Sequence, residues 1–348
     1  MKNIRLSTSF YPSIMAAYRI APAHIDEGCF TKLVAWIRDT RIKAKHSDED
    51  VIDGIPKETL AQALKIVINS IYGKLGFEAG DICDKLAVLK VTINGQLFIM
   101  MLCETLEMNG IEVVSANTDG IVVKLTKANY QKFKDITDDW EDYTGLSADS
   151  EMYKAYINRD INNYVCQETN GKLTYKGDLN PLMYLNDLSK GYDEPIVAKA
   201  VVEYFINGIP IIDTLYAAKN ILDFCKTQNI GRKFHTEFIK GATTYKIQRN
   251  VRFYVSNFGG NLFKVSLDGN KSNLCSGYYV EILNTLDDIP IEQRNINYQY
   301  YYNECLKIID PIKLSISPNQ KAGNGIKSGR VAIQKKSESY DSLFDDNE

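Results

Sequence analysis

The sequence lacks the patterns that mark a metal-binding or disulfide-stapled protein. Its seven cysteines are scattered without CxxC pairs, and only three histidines occur in 348 residues. This spacing excludes a zinc site and a disulfide framework, and it favours a reducing, intracellular setting. We find no apolar run that approaches the length of a membrane span, so we expect no membrane partner.

Strong net charge and a targeting segment are also missing. The formal net charge is −3, which argues against indiscriminate nucleic-acid binding. Ala21-Pro22-Ala23 resembles a signal-peptide cleavage site, but Ser7-Thr8-Ser9 and Tyr11-Pro12-Ser13 break the apolar region before it. The charge is nevertheless uneven, because residues 226–252 carry seven Lys and Arg against one acid, Glu237. A basic binding face and an ordinary solvated surface both fit this segment.

The segment Ser115–Gly120 lies between two short runs that are rich in β-branched residues, Ile111–Val114 and Ile121–Leu125. Two such runs joined by a turn ending in Asp-Gly predict a β-hairpin. Asn117 and Asp119 are two residues apart, so they project to the same side if the strand geometry persists. A carboxylate at this tip could hold a divalent cation against a phosphate, although Asn, Asp and Gly are also ordinary turn residues.

Helical periodicity dominates the rest of the chain. The predicted helices cover residues 31–45, 57–72, 86–108, 129–143, 196–206, 211–228 and 298–309. Gly73 is expected to end the second helix as a C-cap, and Tyr11-Pro12-Ser13 is expected to end an extended segment. Alternation predicts strands within 158–177, around an Asn170-Gly171 turn, and at 243–248 and 251–255.

Two neighbouring predicted helices carry cations at helical spacing. Arg41 and Lys45 are four residues apart, and Lys65, Asn69 and Tyr72 lie at i, i+4 and i+7. The two faces could form a cationic cleft, or they could be surface stripes of the kind that most helices carry.

Three blocks, in this order, resemble the polymerase core of family B DNA polymerases. Residues 9–14 resemble motif A, Asp-x-x-Ser-Leu-Tyr-Pro-Ser-Ile, and residues 65–73 follow motif B, Lys-x-x-x-Asn-Ser-x-Tyr-Gly. Residues 117–119 resemble motif C, Asp-Thr-Asp. Asn163-Tyr164 and Lys176-Gly177 resemble the segment that holds the primer strand. The resemblance covers roughly residues 9–310 and none of the family's exonuclease or N-terminal domains.

The resemblance implies an α+β right-hand core with an antiparallel palm sheet, helical fingers and a mixed, mainly helical thumb. The implied domains are a partial palm at 1–30, fingers at 31–75, palm at 76–177 and thumb at 178–317. Residues 318–348 are polar and are expected to form a disordered tail.

The resemblance also implies template-directed addition of deoxynucleotides to a primer 3′ end with Mg²⁺. Asp119 and Lys65 would be catalytic, and Asp119 and Asn117 would hold the metal. The nucleotide would contact Tyr11, which packs under the sugar and excludes a 2′-hydroxyl, together with Arg41, Lys45, Lys65, Asn69 and Tyr72. Primer–template DNA would contact Gly73, Asn163, Tyr164, Lys176, Arg249 and Arg252.

Two departures from the family pattern bear on activity. Asn117 replaces a carboxylate in motif C, and the metal-binding Asp of motif A would fall at Leu6, which cannot ligate a hard cation. The second departure suggests a gene broken near residue 8, and residues 1–8 are then not genuine polymerase sequence.

Two interpretations follow. The chain is the C-terminal portion of a polymerase from a phage or other mobile element, acting in the host cytoplasm. Alternatively, it is an inactive remnant or split subunit that binds primer–template DNA and needs a separate N-terminal polymerase or exonuclease fragment.

Overall fold

The structure is a computed structural model that describes residues 2–6, 9–182 and 193–316. The predicted tail at 318–348 lies outside these residues. The chain divides into two compact units, residues 1–156 with 166–173 and residues 157–165 with 174–348. Both units combine helices with antiparallel sheets, as the predicted α+β class requires.

Five helices belong to the first unit, and four of them match predicted helices. They are α1 (Phe10–Ala17), α2 (Glu27–His46), α3 (Lys57–Leu75), α4 (Lys85–Met108) and α5 (Tyr130–Thr144). Side-chain caps begin two of these helices. The Asp26 carboxylate accepts a hydrogen bond from the Cys29 N–H at the start of α2, and Asp84 accepts one from Ala87 at the start of α4.

Two local predictions in this unit are wrong. Tyr11-Pro12-Ser13 lies in the first turn of α1, where the first intrahelical bond runs from the Ser13 N–H to the Ser9 carbonyl. Pro12 lies before the first residue whose N–H donates within the helix, so its missing N–H removes no helical hydrogen bond. Gly73 does not end α3, because the helix continues to Leu75, which is fully buried and anchors the last turn.

The first unit contains an antiparallel sheet with the strand order β4-β5-β1-β6. Its strands are β1 (Lys2–Leu6), β4 (Glu112–Ala116), β5 (Gly120–Lys124) and β6 (Ala148–Asp160). Strand β1 is central, with Arg5 opposite Gly120 on β5 and Leu6 opposite Ala148 on β6. The predicted hairpin at 111–125 is confirmed as the β4–β5 pair.

A smaller hairpin lies between α2 and α3. Strands β2 (Val51–Ile52) and β3 (Ile55–Pro56) pair around Asp53 and Gly54, which both have positive φ. Positive φ at both central residues is the geometry that favours Asp-Gly in a two-residue hairpin.

Helix α4 supplies much of the core of the first unit. Its buried residues include Val91, Phe98, Leu102 and Leu106, which pack in one cluster with Ile121 of β5. The helix is nevertheless long and apolar enough, by length and composition, to cross a membrane. The prediction that no apolar run reaches this length is therefore wrong, although one face of α4 packs in the core of the first unit.

Strands β6, β7 (Asn163–Glu168) and β8 (Leu173–Lys176) are divided between the two units. The predicted Asn170-Gly171 turn between β7 and β8 is confirmed. The Glu168 N–H donates to the Lys172 carbonyl, and Gly171 has a φ of 90°.

The second unit contains three α-helices and seven strands among its described residues after 178. The helices are α6 (Pro195–Asn207), α7 (Ile211–Ala217) and α8 (Tyr298–Ile316). The strands are β9 (Lys226–Asn229), β10 (Phe234–Lys240), β11 (Thr243–Ile247), β12 (Asn250–Ser256), β13 (Asn261–Ser266), β14 (Lys271–Asn273) and β15 (Tyr279–Ile282). The segment at 178–317 is therefore mixed, as expected, but its strands contribute nearly as many described residues as its α-helices.

The predicted helix at 211–228 is replaced by three different elements. Helix α7 ends at Ala217, a 3₁₀ turn follows at Ile221–Phe224, and β9 begins at Lys226. The Asn220 side chain accepts a hydrogen bond from the Leu222 N–H and so starts the turn locally. Pairing of β9 with β12 then overrides the helical periodicity.

A buried carboxylate lies in the core of the second unit. The Tyr300 hydroxyl donates to Glu194 Oε1 at 2.8 Å, and Lys226 Nζ lies 3.7 Å from Glu194 Oε2. Burial raises the pKa of Glu194 above its ordinary value of 4.5, although Lys226 and the Tyr300 hydrogen bond oppose this shift. Asp193 and Glu304 add to the increase.

This raised pKa predicts a pH-dependent stability. Between pH 4.5 and the higher folded pKa, the folded state holds a proton that the unfolded state has released, so stability falls as pH rises. We expect the free energy of unfolding of the wild type, relative to Glu194→Gln, to fall over this window in denaturant titrations. Glu292→Gln is the control, because the pKa of exposed Glu292 is lowered. A pH-independent difference for Glu194→Gln would contradict the burial effect.

Candidate active site

An open cleft in the first unit brings together most of the residues that the motifs predicted. Its volume is about 630 Å³, within the range of small-molecule sites. Residues from α1, α2, α3 and the β4–β5 turn line it: Ser9, Phe10, Tyr11, Pro12, Arg41, Lys45, Lys65, Asn69, Tyr72, Thr118 and Asp119. Segments up to about a hundred residues apart in sequence therefore meet at one place.

The cleft is electropositive on its helical side. Arg41, Lys45 and Lys65 face it from α2 and α3, and among its described lining residues Asp119 is the sole carboxylate. Arg41 is half-buried, and its Nη1 donates to Ser9 Oγ at 2.8 Å, which fixes the guanidinium beside motif A. Burial lowers the pKa of Arg41, although an arginine remains charged. Such a surface attracts a polyanion.

In the β4–β5 turn, Asp119 is exposed, whereas Asn117 makes hydrogen bonds within the turn. Asn117 Oδ1 accepts a hydrogen bond from the Asp119 N–H at 3.0 Å, and the Asn117 N–H donates to the Gly120 carbonyl. The amide oxygen therefore closes the turn, and Asn117 is absent from the lining of the cleft. The role of Asn117 as a metal ligand stays a prediction.

The alignment that puts the motif A carboxylate position at Leu6 stays a prediction, and the strand register shows only where β1 ends. Because Arg5 lies opposite Gly120, the end of β1 comes next to the Asp119 turn. The residues present do not fit a site for two Mg²⁺ ions. The cleft offers one carboxylate, and among the described residues no group of three or more His, Cys, Asp or Glu side chains could hold a metal ion.

Two tyrosine rings form one wall of the cleft. The ring centroids of Tyr11 and Tyr72 lie 4.5 Å apart with an interplanar angle of 30°. Burial, followed by the nearby Tyr72 and Asp119, raises the pKa of the Tyr11 phenol, which therefore stays neutral. Sequence reasoning missed the residues behind this wall, Thr92 and Gly95, because α4 showed only an apolar pattern.

The sequence comparisons agree with these motifs. Over 143 residues the chain is 26% identical to the catalytic subunit of DNA polymerase alpha from Saccharomyces cerevisiae, a match that covers 35% of this chain and 10% of that protein. It is 27% identical over 143 residues to DNA polymerase II of Escherichia coli, covering 36% and 18%. It is 28% identical over 151 residues to a DNA polymerase of Thermococcus sp., covering 36% and 20%. About a third of this chain is therefore similar to DNA polymerases.

The chain matches no family model. It matches between 10% and 20% of the length of these curated relatives. A solved structure of the family B DNA polymerase from Pyrobaculum calidifontis aligns with 93% of this chain and 46% of that chain, with a TM-score of 0.49 and 16% identity.

The residues predicted to hold the primer strand come together in the second unit. Asn163 donates to the Asp160 carboxylate and accepts a hydrogen bond from the Asp178 N–H at 2.7 Å. Gly177 has a φ of +62°, and a Cβ there would lie 2.2 Å from Asn163 Oδ1, so the position requires glycine. Lys176 Nζ lies 5.6 Å from the Tyr164 ring centroid. These contacts fix the positions of the predicted primer-strand residues, and their DNA-binding role stays a prediction.

The other predicted DNA-binding residues differ in their surroundings. Arg249 is exposed and lines a surface cleft of about 590 Å³ that also includes Arg232. Arg252 is half-buried in β12 and does not line that cleft, whereas Gly73 is exposed on α3. Arg232 belongs to the basic segment 226–252 but was not among the predicted DNA-binding residues, and the Ile230 N–H donates to the Arg249 carbonyl between the two turns.

Proposed function

We propose that this chain is a portion of a family B DNA polymerase and that it binds primer–template DNA and a deoxynucleoside triphosphate for template-directed DNA synthesis. The observation that carries this proposal is the convergence of motif A, motif B and motif C residues on one electropositive cleft. Relatives that are named DNA polymerases support it. The action is intracellular, and origin in a phage or other mobile element stays a prediction.

Each cleft residue has a role that matches its chemistry. Lys65, Arg41 and Lys45 neutralise the triphosphate, and Asn69 adds a neutral donor. Tyr11 packs under the sugar, where a 2′-hydroxyl would meet its ring, and Tyr72 lies near the nascent base pair. Asp119 supplies the carboxylate of the reaction centre. In domain terms we assign 31–75 to the fingers, 1–30 and 76–177 to the palm, and 178–317 to the thumb.

The metal chemistry of the family needs more than these residues offer. Mg²⁺ supplies charge stabilisation in phosphoryl transfer, and it is held by carboxylates and phosphate oxygens. Asp119 alone does not provide that donor set. We assign the missing oxygen ligand to a separate N-terminal fragment that completes the site near the end of β1.

Binding of a matched nucleotide tests the proposed function directly. The chain is titrated with each dNTP in the presence of a primer–template whose primer ends in a dideoxynucleotide. We expect the dNTP that pairs with the templating base to bind more tightly than the other three. Equal affinity for all four, or no nucleotide binding, would contradict the proposal.

The exposed arginine cleft of the second unit predicts non-specific contacts with phosphates. Arg249→Ala should weaken binding to any duplex sequence and should reduce the salt slope of log K by about one unit. Arg252→Ala should have a smaller effect on the slope, because Arg252 is half-buried. Lys307→Ala controls for net charge, since Lys307 pairs with Glu304 on α8. An unchanged slope for Arg249→Ala would place this arginine away from DNA.

A further inference from the structure

One face of α4 holds both tyrosines of the cleft wall from behind. Thr92 and Gly95 are three residues apart and so share this face. The Thr92 hydroxyl donates to the Val88 carbonyl at 2.8 Å, so its oxygen accepts from the Tyr72 hydroxyl, 3.0 Å away. Gly95 lies directly behind Tyr11.

The absence of a side chain at position 95 sets the position of the Tyr11 ring. A Cβ added at Gly95 would lie 3.0 Å from Tyr11 Cε1, 3.1 Å from Phe10 Cε1 and 3.4 Å from Ile14 Cδ1. Phe10 and Ile14 are buried in the core, with 4% and 0% exposure, and have no room to retreat. Tyr11 borders the open cleft, so an added methyl group would displace the Tyr11 ring towards the cleft.

We infer that Gly95 and Thr92 are positioning residues that set how far the Tyr11–Tyr72 wall reaches into the cleft, and thereby the discrimination between deoxyribonucleoside and ribonucleoside triphosphates. This inference rests on the proposed function, because it assumes that Tyr11 packs against the sugar. Because Gly95 has no side chain, the Tyr11 ring lies far enough back from the cleft for the deoxyribose to bind. Thr92 fixes the neighbouring Tyr72, and the Tyr11 ring packs against Tyr72.

Matched variants separate this role from simple packing. Gly95→Ala moves Tyr11 outwards, and the better helix propensity of alanine helps the variant to fold. Gly76→Ala is its control, because the nearest atoms to a Cβ there are 3.8 Å away. Thr92→Val removes the acceptor for Tyr72. Thr105→Val is its control, because Thr105 makes the same hydrogen bond to the carbonyl four residues earlier on the same helix.

The first measurement is the ratio of the dissociation constants for ATP and dATP opposite a templating thymine, with a dideoxy-terminated primer. Gly95→Ala should raise this ratio by about threefold or more, and Thr92→Val should lower it, while both controls keep the wild-type value. In a Tyr11→Ala background, Gly95→Ala should have no further effect, because the ring that it displaces is gone. Wild-type ratios in both variants would overturn the inference.

The second measurement does not depend on nucleotide binding. In protein labelled with 3-fluorotyrosine, the Tyr11 resonance is assigned by its loss in Tyr11→Phe. Gly95→Ala should shift this resonance, and Gly76→Ala should leave it in place. An unchanged resonance would overturn the inference about Gly95. A wild-type chain that binds no nucleotide would instead contradict the proposed function, whatever the fluorine spectrum shows.

Discussion

The isolated chain should bind primer–template DNA but extend the primer weakly or not at all. The cleft keeps one matching carboxylate, Asp119, while the oxygen of Asn117 accepts a hydrogen bond within its own turn. Two closely spaced Mg²⁺ ions need more anionic oxygen than this, because the nucleotide supplies only part of their shell. Gel-based primer extension and a DNA-binding titration on the same preparation check both halves of the prediction.

Restoring the motif A carboxylate should recover extension. Leu6→Asp, with the upstream strand supplied by a partner fragment, introduces an aspartate at the last residue of β1, one residue after the position that pairs with Gly120. Asp119→Ala in the restored protein should then lower the extension rate by a factor of about 100 or more, with DNA binding nearly intact. Robust extension by the unmodified chain, purified free of host polymerase, would show that another group supplies the ligand and that the motif A alignment is wrong.

The second large effect is expected at Lys65. Lys65→Ala removes a cation that faces the cleft, and a charge-assisted contact of this kind is worth about 1.5–3 kcal/mol, or roughly 10- to 150-fold in Kd. Affinity for DNA should change far less. Equilibrium titration of the DNA complex with the matched dNTP measures the loss.

A matched lysine variant makes this result specific. Lys43→Ala removes an exposed cation from α2 that does not line the cleft, so it should leave nucleotide affinity near the wild-type value. Equal losses in the two variants would reflect net charge alone. Wild-type affinity in Lys65→Ala would remove Lys65 from the nucleotide site.

Much of the first unit could be predicted because its signals are local. Helical periodicity located α2, α3, α4 and α5, and the Asp-Gly turn located the β4–β5 hairpin. The convergence of their residues on one cleft could not follow from periodicity, which contains no information about which helices meet. That expectation came from the family resemblance.

The failures have a common physical cause, which is tertiary context. Residues 226–229 have helical periodicity, yet they form β9 because β12 offers a pairing edge. Gly73 looked like a helix end, but burial of Leu75 extends α3 beyond it. The roles of Thr92 and Gly95 depend on rings from α1 and α3, which lie many residues earlier in the chain.

The central position of β1 has a consequence for synthesis of the chain. Lys2 pairs with Val123 on one side and with Met152 on the other, so β1 cannot be paired on both sides until both partners have been translated. At about 5–20 residues per second, roughly 150 residues of translation amount to a wait of about 8–30 s. Contacts of such large sequence separation also slow folding itself. The sheet that positions the Asp119 turn is therefore completed late, and slower translation at low temperature lengthens the time for which β1 stays unpaired.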